Sequence, residues 1–498
     1  MRGAVISYAD KVRSFSTNAR LFLLSTALGS LQSGILQVVL ALYVVALDHG
    51  RDFLGVMTGL GALVTGIVSL PAAAVARATG HRKALLVGTA IAASGALGIS
   101  LSSARTWLLL FQGILGAGTA FIFVNTPPFL AENSSDTERT YLFSVNSTML
   151  LAVAVVGNFL GGTLPNVFGL AVPGWASSSP AAFRAAMLVG VAFIAASALP
   201  LLSMREAQQQ GGGAASEGPA LAGKWSPGRV SGADCSGGSE GVGCRSARGA
   251  RSGRHRLRLM GQFVTTSAIM SLGAGMMVPF LSVFLADKGA SSSFIGAVFA
   301  GSMVMTMLGT VVAPALAERW GKVKTVALTQ IASTPFLVAM ALSGNLLLAV
   351  PAMLVRSALM NMSGPVDGSF SMEAVDARDR AVLSSLRGMS WNLAWAGGSV
   401  LGGIMIERSG YAAPFLVTAI LYLASALLYV LFFSKLDSRH SGRSGQASQS
   451  PQRGQSGRRG PSGPSGSSDH TGHTGRAGYT GHAGAAPRGR RSEWVRSQ

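Results

Sequence analysis

Two ionisable side chains sit inside apolar sequence, and they carry the first chemical argument. Arg356 lies in Ala352-Met353-Leu354-Val355-Arg356-Ser357-Ala358, within an apolar run spanning 346–371. Asp367 follows eleven residues later. At ~100° per residue, that spacing closes three turns plus about 20°, which puts both groups on one helix face roughly 16 Å apart. They are too distant to pair directly but can line one pathway. A cation inside a bilayer costs at least ~2.5–3.5 kcal/mol, so Arg356 should face a cavity and have a partner. It is either a substrate or coupling residue or half of a structural ion pair with another helix. Asp367 is the acid set deepest in apolar sequence. A partly buried carboxyl can alternate between charged and neutral forms, so Asp367 is the candidate proton-coupling residue. Pro365, after Gly364, predicts a kink beside it.

The surrounding composition says what positions these groups. The chain has 498 residues, of which 49% are apolar and only 12% charged, against about 25% charged in soluble proteins. The mean hydropathy is +0.42. This balance excludes a large soluble enzyme and predicts a membrane protein. Apolar runs fall at 20–47, 53–76, 84–103, 107–130, 141–163, 181–203, 260–286, 294–316, 325–343, 346–371, 381–406 and 412–434. Each is long enough for a helix across ~30 Å of hydrocarbon. The fold class expected is therefore all-α, with twelve transmembrane helices in two six-helix bundles. The first run is too long for a cleaved signal and carries Gln32 and Gln37.

The domain plan follows: an N-terminal segment 1–19, a bundle 20–203, a basic linker 204–258, a bundle 259–435 and a Gly/Ser/Arg-rich tail 436–498. Linker and tail carry about twelve of the twenty net positive charges and are expected to be disordered. Cys235 and Cys244 read as reduced thiols, and His470, His473 and His482 as no ordered metal site. Short loops on the side of the termini hold Arg77, Arg82, Lys83, Arg139, Arg319, Lys322, Lys324, Arg378 and Arg380. The other side holds Arg51, Arg105, Arg184, Lys288 and Arg408. The excess places both termini and the linker in the cytoplasm, in a plasma (inner) membrane protein.

The halves align without a gap over about 110 residues at an offset of 241. Phe53-Leu54-Gly55 becomes Phe294-Ile295-Gly296, Gly80 becomes Gly321, Lys83 becomes Lys324, and Glu132 and Arg139 become Glu373 and Arg380. Gly157-Asn158-Phe159-Leu160-Gly161-Gly162 becomes Gly398-Ser399-Val400-Leu401-Gly402-Gly403. Matching Gly, Glu, Arg and Lys at one spacing marks a duplicated unit, with parallel copies because each holds an even number of helices.

Two parallel six-helix halves joined by a cytoplasmic linker resemble the major facilitator superfamily. Its loop signature is an acid, Arg, any residue, Gly, then basic residues. Glu318-Arg319-Trp320-Gly321-Lys322-Val323-Lys324 is similar to it, and Arg77-Ala78-Thr79-Gly80-His81-Arg82-Lys83 keeps the glycine and basic end but has Arg77 in place of the acid. The resemblance implies a gating loop with Glu318 in a lock at the cytoplasmic side. It also implies a central cavity, toward which Gln32, Gln37, Gln112, Asn125, Asn146, Asn361 and Asn392 would contribute amides. Trp391 and Trp395, four residues apart, would add one aromatic face, which suits an amphipathic or aromatic ligand. The glycine sextets allow close helix approach, and the first is similar to the Gly-Pro-x-x-Gly-Gly segment of exporters, with Asn158 in place of proline. Glu132 with Arg139, and Glu373 with Arg380, are expected as structural ion pairs.

No phosphate-cradling loop, zinc pattern or nucleophile elbow occurs, so neither ATP chemistry nor an enzyme is expected. The expected function is alternating-access transport of a small organic molecule, driven by an ion gradient with no cofactor. Proton-coupled efflux leads. Import of a sugar or organic anion is the alternative, with Arg356 meeting the anion. A membrane sensor or scaffold is the alternative of another class. The tail holds two aromatics, Tyr479 and Trp494, so no nucleic-acid partner is expected. A monomer in the lipid bilayer is expected.

Overall fold

The computed structural model describes residues 15–135, 138–204, 242–376 and 378–447. Most of the expected linker and tail lies outside these residues, as do the side chains of both cysteines and the tail histidines.

The first half consists of α1 (Thr17–Ala46), α2 (Arg51–Thr79), α3 (His81–Leu101), α4 (Arg105–Glu132), α5 (Arg139–Ala171) and α6 (Pro180–Ser203). The second consists of α7 (Val242–Met277), α8 (Leu281–Asp287), α9 (Ser292–Trp320), α10 (Lys322–Leu342), α11 (Leu346–Ala374), α12 (Arg380–Ser409) and α13 (Ala412–Ala447). The run expected as one helix over 260–286 is interrupted by a 3-10 turn, Val278–Phe280. Pro279 has no N–H to donate there, so the helix breaks and restarts as α8. Eleven spans among the described residues are long and apolar enough to cross a membrane. The twelfth long helix, α12, is more polar because it carries Arg387, Asn392, Glu407 and Arg408.

α7 begins at Val242, inside the stretch assigned to the linker, and α13 continues to Ala447, inside the stretch assigned to the tail. Arg256 Nε, placed in the linker by sequence, donates to the carboxylate of Asp379 at 2.6 Å. That bond fastens the start of the buried part of α7 to the turn before α12.

The duplication shows in the packing. α1 packs on α5 as α7 packs on α12, α2 on α4 as α9 on α11, and α3 on α4 as α10 on α11. The turns joining α2 to α3 and α9 to α10 are single glycines, Gly80 with φ 89° and Gly321 with φ 86°. That conformation strains any residue with a Cβ, so glycine recurs at the offset of 241. Large apolar side chains such as Ile67, Leu199, Leu347 and Leu431 are exposed, a surface suited to acyl chains rather than water.

Among the described residues, the two halves pack together chiefly through α2 on α12 and α5 on α9. These pairs exchange under the duplication. Glycines make the approach possible. A methyl at Gly162 of α5 would fall 2.5 Å from Gly296 Cα of α9, and one at Gly403 of α12 would fall 2.5 Å from Arg51 O of α2. The other sextet glycines serve within each half. Gly157 and Gly161 abut Leu31, Gly34 and Ile35 of α1, and Gly398 and Gly402 abut Leu272, Gly275 and Met276 of α7.

Candidate functional site

In the second half, α7, α10, α11, α12 and α13 line a partly open cavity of about 440 Å³. Its charged centre is Asp367 on α11 with Arg387 on α12. The Arg387 guanidinium donates to Asp367 Oδ2 through Nη2. Tyr429 of α13 donates its hydroxyl to Asp367 Oδ1 at 2.8 Å. Arg387 Nε donates to Ser267 Oγ of α7 at 3.0 Å, and the guanidinium lies 5.9 Å from the Phe263 ring centre. Four helices therefore converge on one ion pair, whose side chains are each 20% exposed. Charge-assisted bonds of this kind strengthen in surroundings of low dielectric.

Of the residues selected from sequence, Asp367, Asn361 and Trp391 line this cavity. Asn361 Nδ2 donates to Ser357 O at 2.9 Å. Arg356 does not line it. It is 5% exposed, one turn before Met360 on α11, and Nη2 donates to Tyr422 OH at 3.1 Å. Its Nε meets no acceptor among the described residues. Trp391 and Trp395 share a face as expected from their spacing, with ring centres 6.3 Å apart.

The amides scatter instead of gathering at one cavity. Gln32 is buried in α1 against Gly190 of α6, whereas Gln37 is exposed. Gln112 packs on Gly61, and Asn146 is buried with an unpaired Oδ1. Asn125 donates to Phe121 O and contacts His81 Nδ1 at 2.9 Å. Asn392 lies against Gly66 of α2, across the two halves.

The expected structural ion pairs are replaced. Glu132 meets His81 Nε2 at 3.3 Å rather than Arg139, and Glu373 meets Lys322 at 2.6 Å rather than Arg380. The tight glycine turns bring the first residues of α3 and α10 under the ends of α4 and α11, closer than the residues after each loop. Glu318 is exposed and makes no ion pair among the described residues, so the lock assigned to it is not formed here. Arg319 and Lys324 are likewise exposed. Arg82 donates to Leu201 O at 3.0 Å and Leu202 O at 2.8 Å, tying α3 to the end of α6.

A charged clasp does form between the halves, at the end where they close. Arg51 at the start of α2 bridges Asp287 of α8 at 2.6 Å, and its backbone N–H donates to Glu407 of α12 at 3.0 Å. Tyr411 donates to Asp287 at 2.6 Å and accepts from Arg51 Nε at 3.2 Å. Burial pushes the Tyr411 phenol above its usual range, with the Asp287 bond adding to the effect. The phenol therefore stays a donor throughout physiological pH. Arg51 and Asp287 are about one-third exposed, and such pairs contribute at most ~1 kcal/mol. Asp287→Asn should therefore loosen closure of this end by no more than about fivefold, read as the rate of maleimide labelling at a cysteine beneath the clasp.

The family model for the Major Facilitator Superfamily matches residues 22–251 and 263–488. The chain belongs to that superfamily. It is accordingly a multi-pass membrane protein and a transporter, not an enzyme. No curated protein matches it in sequence. Solved superfamily structures share its fold. One is a bacterial homolog of the human lysosomal transporter Spinster, inward-facing and unoccupied, at 15% identity and TM-score 0.63, covering 83% of this chain and 96% of that one. The nucleoside transporter NupG aligns at 15% identity and TM-score 0.60, covering 84% and 99%. A D-xylose-proton symporter aligns at 14% identity and TM-score 0.62, covering 84% and 97%.

Sequence reasoning missed Arg387, Tyr429, Ser267 and Gln330. Arg387 was within reach, because it stands seven residues inside the apolar run 381–406 and the argument made for Arg356 applies to it unchanged. Tyr429 and Ser267 carry no such signal, since single hydroxyls are common in membrane helices.

Proposed function

We propose that the chain is a proton-coupled secondary transporter that moves a small organic molecule across the plasma membrane by alternating access, with its termini and central linker in the cytoplasm. One observation carries this reading. The halves are closed on each other at the clasp end, through two symmetry-exchanged helix pairs, while the cavity with Asp367 and Arg387 lies in the half of the bundle away from the clasp. The basic loops lie at that opposite end, which favours calling it cytoplasmic. Asp367 is the proton site.

Export is the leading direction, supported by the likeness of residues 157–162 to the exporter segment. Uptake of an organic anion with a proton is the second reading, favoured by the two cations Arg356 and Arg387 around a single carboxylate. Both are tested by following fluorescein, ethidium and radiolabelled glucose in cells with and without the chain, with acid outside. Lower accumulation of one compound, reversed by a protonophore, is the export result. Higher accumulation is the uptake result. Equal accumulation of all three counts against transport of small organic molecules.

A further inference from the structure

We propose that the cavity between α7, α10, α11, α12 and α13 binds a small organic monoanion, a carboxylic or phosphoric acid that also carries hydroxyl or N–H donors. The inference rests on the transporter reading only in taking this cavity as the substrate site. The argument begins with charge. Away from the ends of the stretches that cross the membrane, the described second half holds three charged groups, Arg356, Asp367 and Arg387. Asp367 and Arg387 neutralise each other. Arg356 is left with a phenol, Tyr422, and no carboxylate. A buried guanidinium without a counter-ion is costly, and in low dielectric its attraction for an anion is little screened. One added negative charge brings the interior to neutrality. A neutral or zwitterionic ligand leaves it at plus one, and a cation makes it plus two.

The geometry gives that anion a receptor. Arg387 uses Nε for Ser267 and Nη2 for Asp367, which leaves Nη1 without an acceptor among the described residues. A guanidinium edge is shaped for two oxygens of one acid. Arg356 and Tyr422 stand one turn beyond the wall formed by Met360 and Ser425, so their positive field falls on the same space.

The remaining lining calls for donors on the ligand. Gln330 Oε1 is buried at the cavity with no partner. Ser363 and Ser371 give their protons to backbone carbonyls at 3.0 and 2.9 Å, so they offer only lone pairs inward. A buried acceptor left unmet is unfavourable, and a ligand hydroxyl or amine meets it. Met270, Met372 and Trp391 supply an apolar wall for the carbon skeleton. The volume, about 440 Å³, suits a molecule of one or two rings.

The test is a thermal-shift series on the purified full-length chain in detergent. The probes are two matched sets that differ in charge at nearly constant size: glucuronate, glucose and glucosamine, then 4-hydroxyphenylacetate, 4-hydroxyphenylacetamide and tyramine. At least one anion should raise the unfolding midpoint by several degrees, with its neutral and cationic relatives at least tenfold weaker. Arg356→Met should leave the empty chain as stable or more so, while weakening the anion response at least tenfold. A merely structural arginine gives the reverse, a loss of stability with the response intact. Asp367→Asn/Arg387→Gln, which removes the ion pair without stranding either charge, should abolish the anion response. Equal response to neutral or cationic relatives, no response to either anion, or an unchanged response in both variants overturns the inference. Because the readout is binding, its failure leaves the flux experiment standing, and failure of flux leaves this one readable.

Discussion

Arg387→Gln is expected to abolish transport and to destabilise the purified chain by about 3–5 kcal/mol, the cost of stranding a buried charge. Without the guanidinium, Asp367 keeps only the hydroxyl of Tyr429 in a cavity where it is 20% exposed. A carboxylate held there without its cation carries a high desolvation cost. Asp367→Asn alone strands the cation instead, which keeps Ser267 and the Phe263 face as partners, so its loss should be smaller. The double change Asp367→Asn/Arg387→Gln should recover most of the stability and none of the transport. Unfolding followed by size-exclusion chromatography after heating measures the first quantity, and flux in proteoliposomes the second. If Arg387→Gln costs less than about 1 kcal/mol, the pair is no better than an exposed bridge and the site is wrongly placed.

Gly162→Ala should open the closed end of the molecule. The new methyl would lie 2.5 Å from Gly296 Cα and from Ser292 O, and both neighbours are backbone that cannot swing aside. Overpacking of this kind costs about 1–3 kcal/mol, charged here against the closed arrangement alone. That range corresponds to roughly a five- to 150-fold shift toward the open arrangement. Asn166, which donates to Ser293 of the other half at 2.6 Å, gives a reporter position. With Cys235 and Cys244 changed to serine, maleimide labelling at Asn166→Cys should accelerate by at least about fivefold in the Gly162→Ala background. Gly29→Ala, where a methyl meets nothing within 4 Å, should leave the rate unchanged. Equal rates in both backgrounds would mean that the contact does not govern closure. The clasp of Arg51 and Asp287 is the weaker restraint, because water competes for both partners.

The helices and their duplication were legible because the physics that fixes them is local. Length against bilayer thickness gave the spans, and the constant offset of 241 gave the duplicated packing. The glycine turns at Gly80 and Gly321 were readable for the same reason. The ion pairs were not. Glu132 and Glu373 were assigned to the arginines seven residues onward, yet the tight turns deliver His81 and Lys322 to them first. That outcome depends on which helix ends meet in space, which sequence spacing does not encode. Arg356 is buried and has a partner in Tyr422, but it does not face the cavity as expected, because its place one turn beyond it depends on the packing of α11 on α13. The two copies also differ where chemistry is concentrated. At the offset of 241, Asp367 corresponds to Thr126 and Arg387 to Asn146, so the first half carries no counterpart of the ion pair.

The polarity of α12 has a consequence for how the chain is made. Arg387, Asn392 and the charged residues at both ends leave it the long helix least able to partition into lipid unaided. During synthesis it emerges after α11, which already carries Asp367, and before α13, which brings Tyr429. Integration of α12 should therefore wait for its neighbours, with the three helices leaving the translocon as a group. A nascent chain halted soon after Ser409 would hold a segment whose arginine has not yet been neutralised, a natural point of recognition for quality-control proteases.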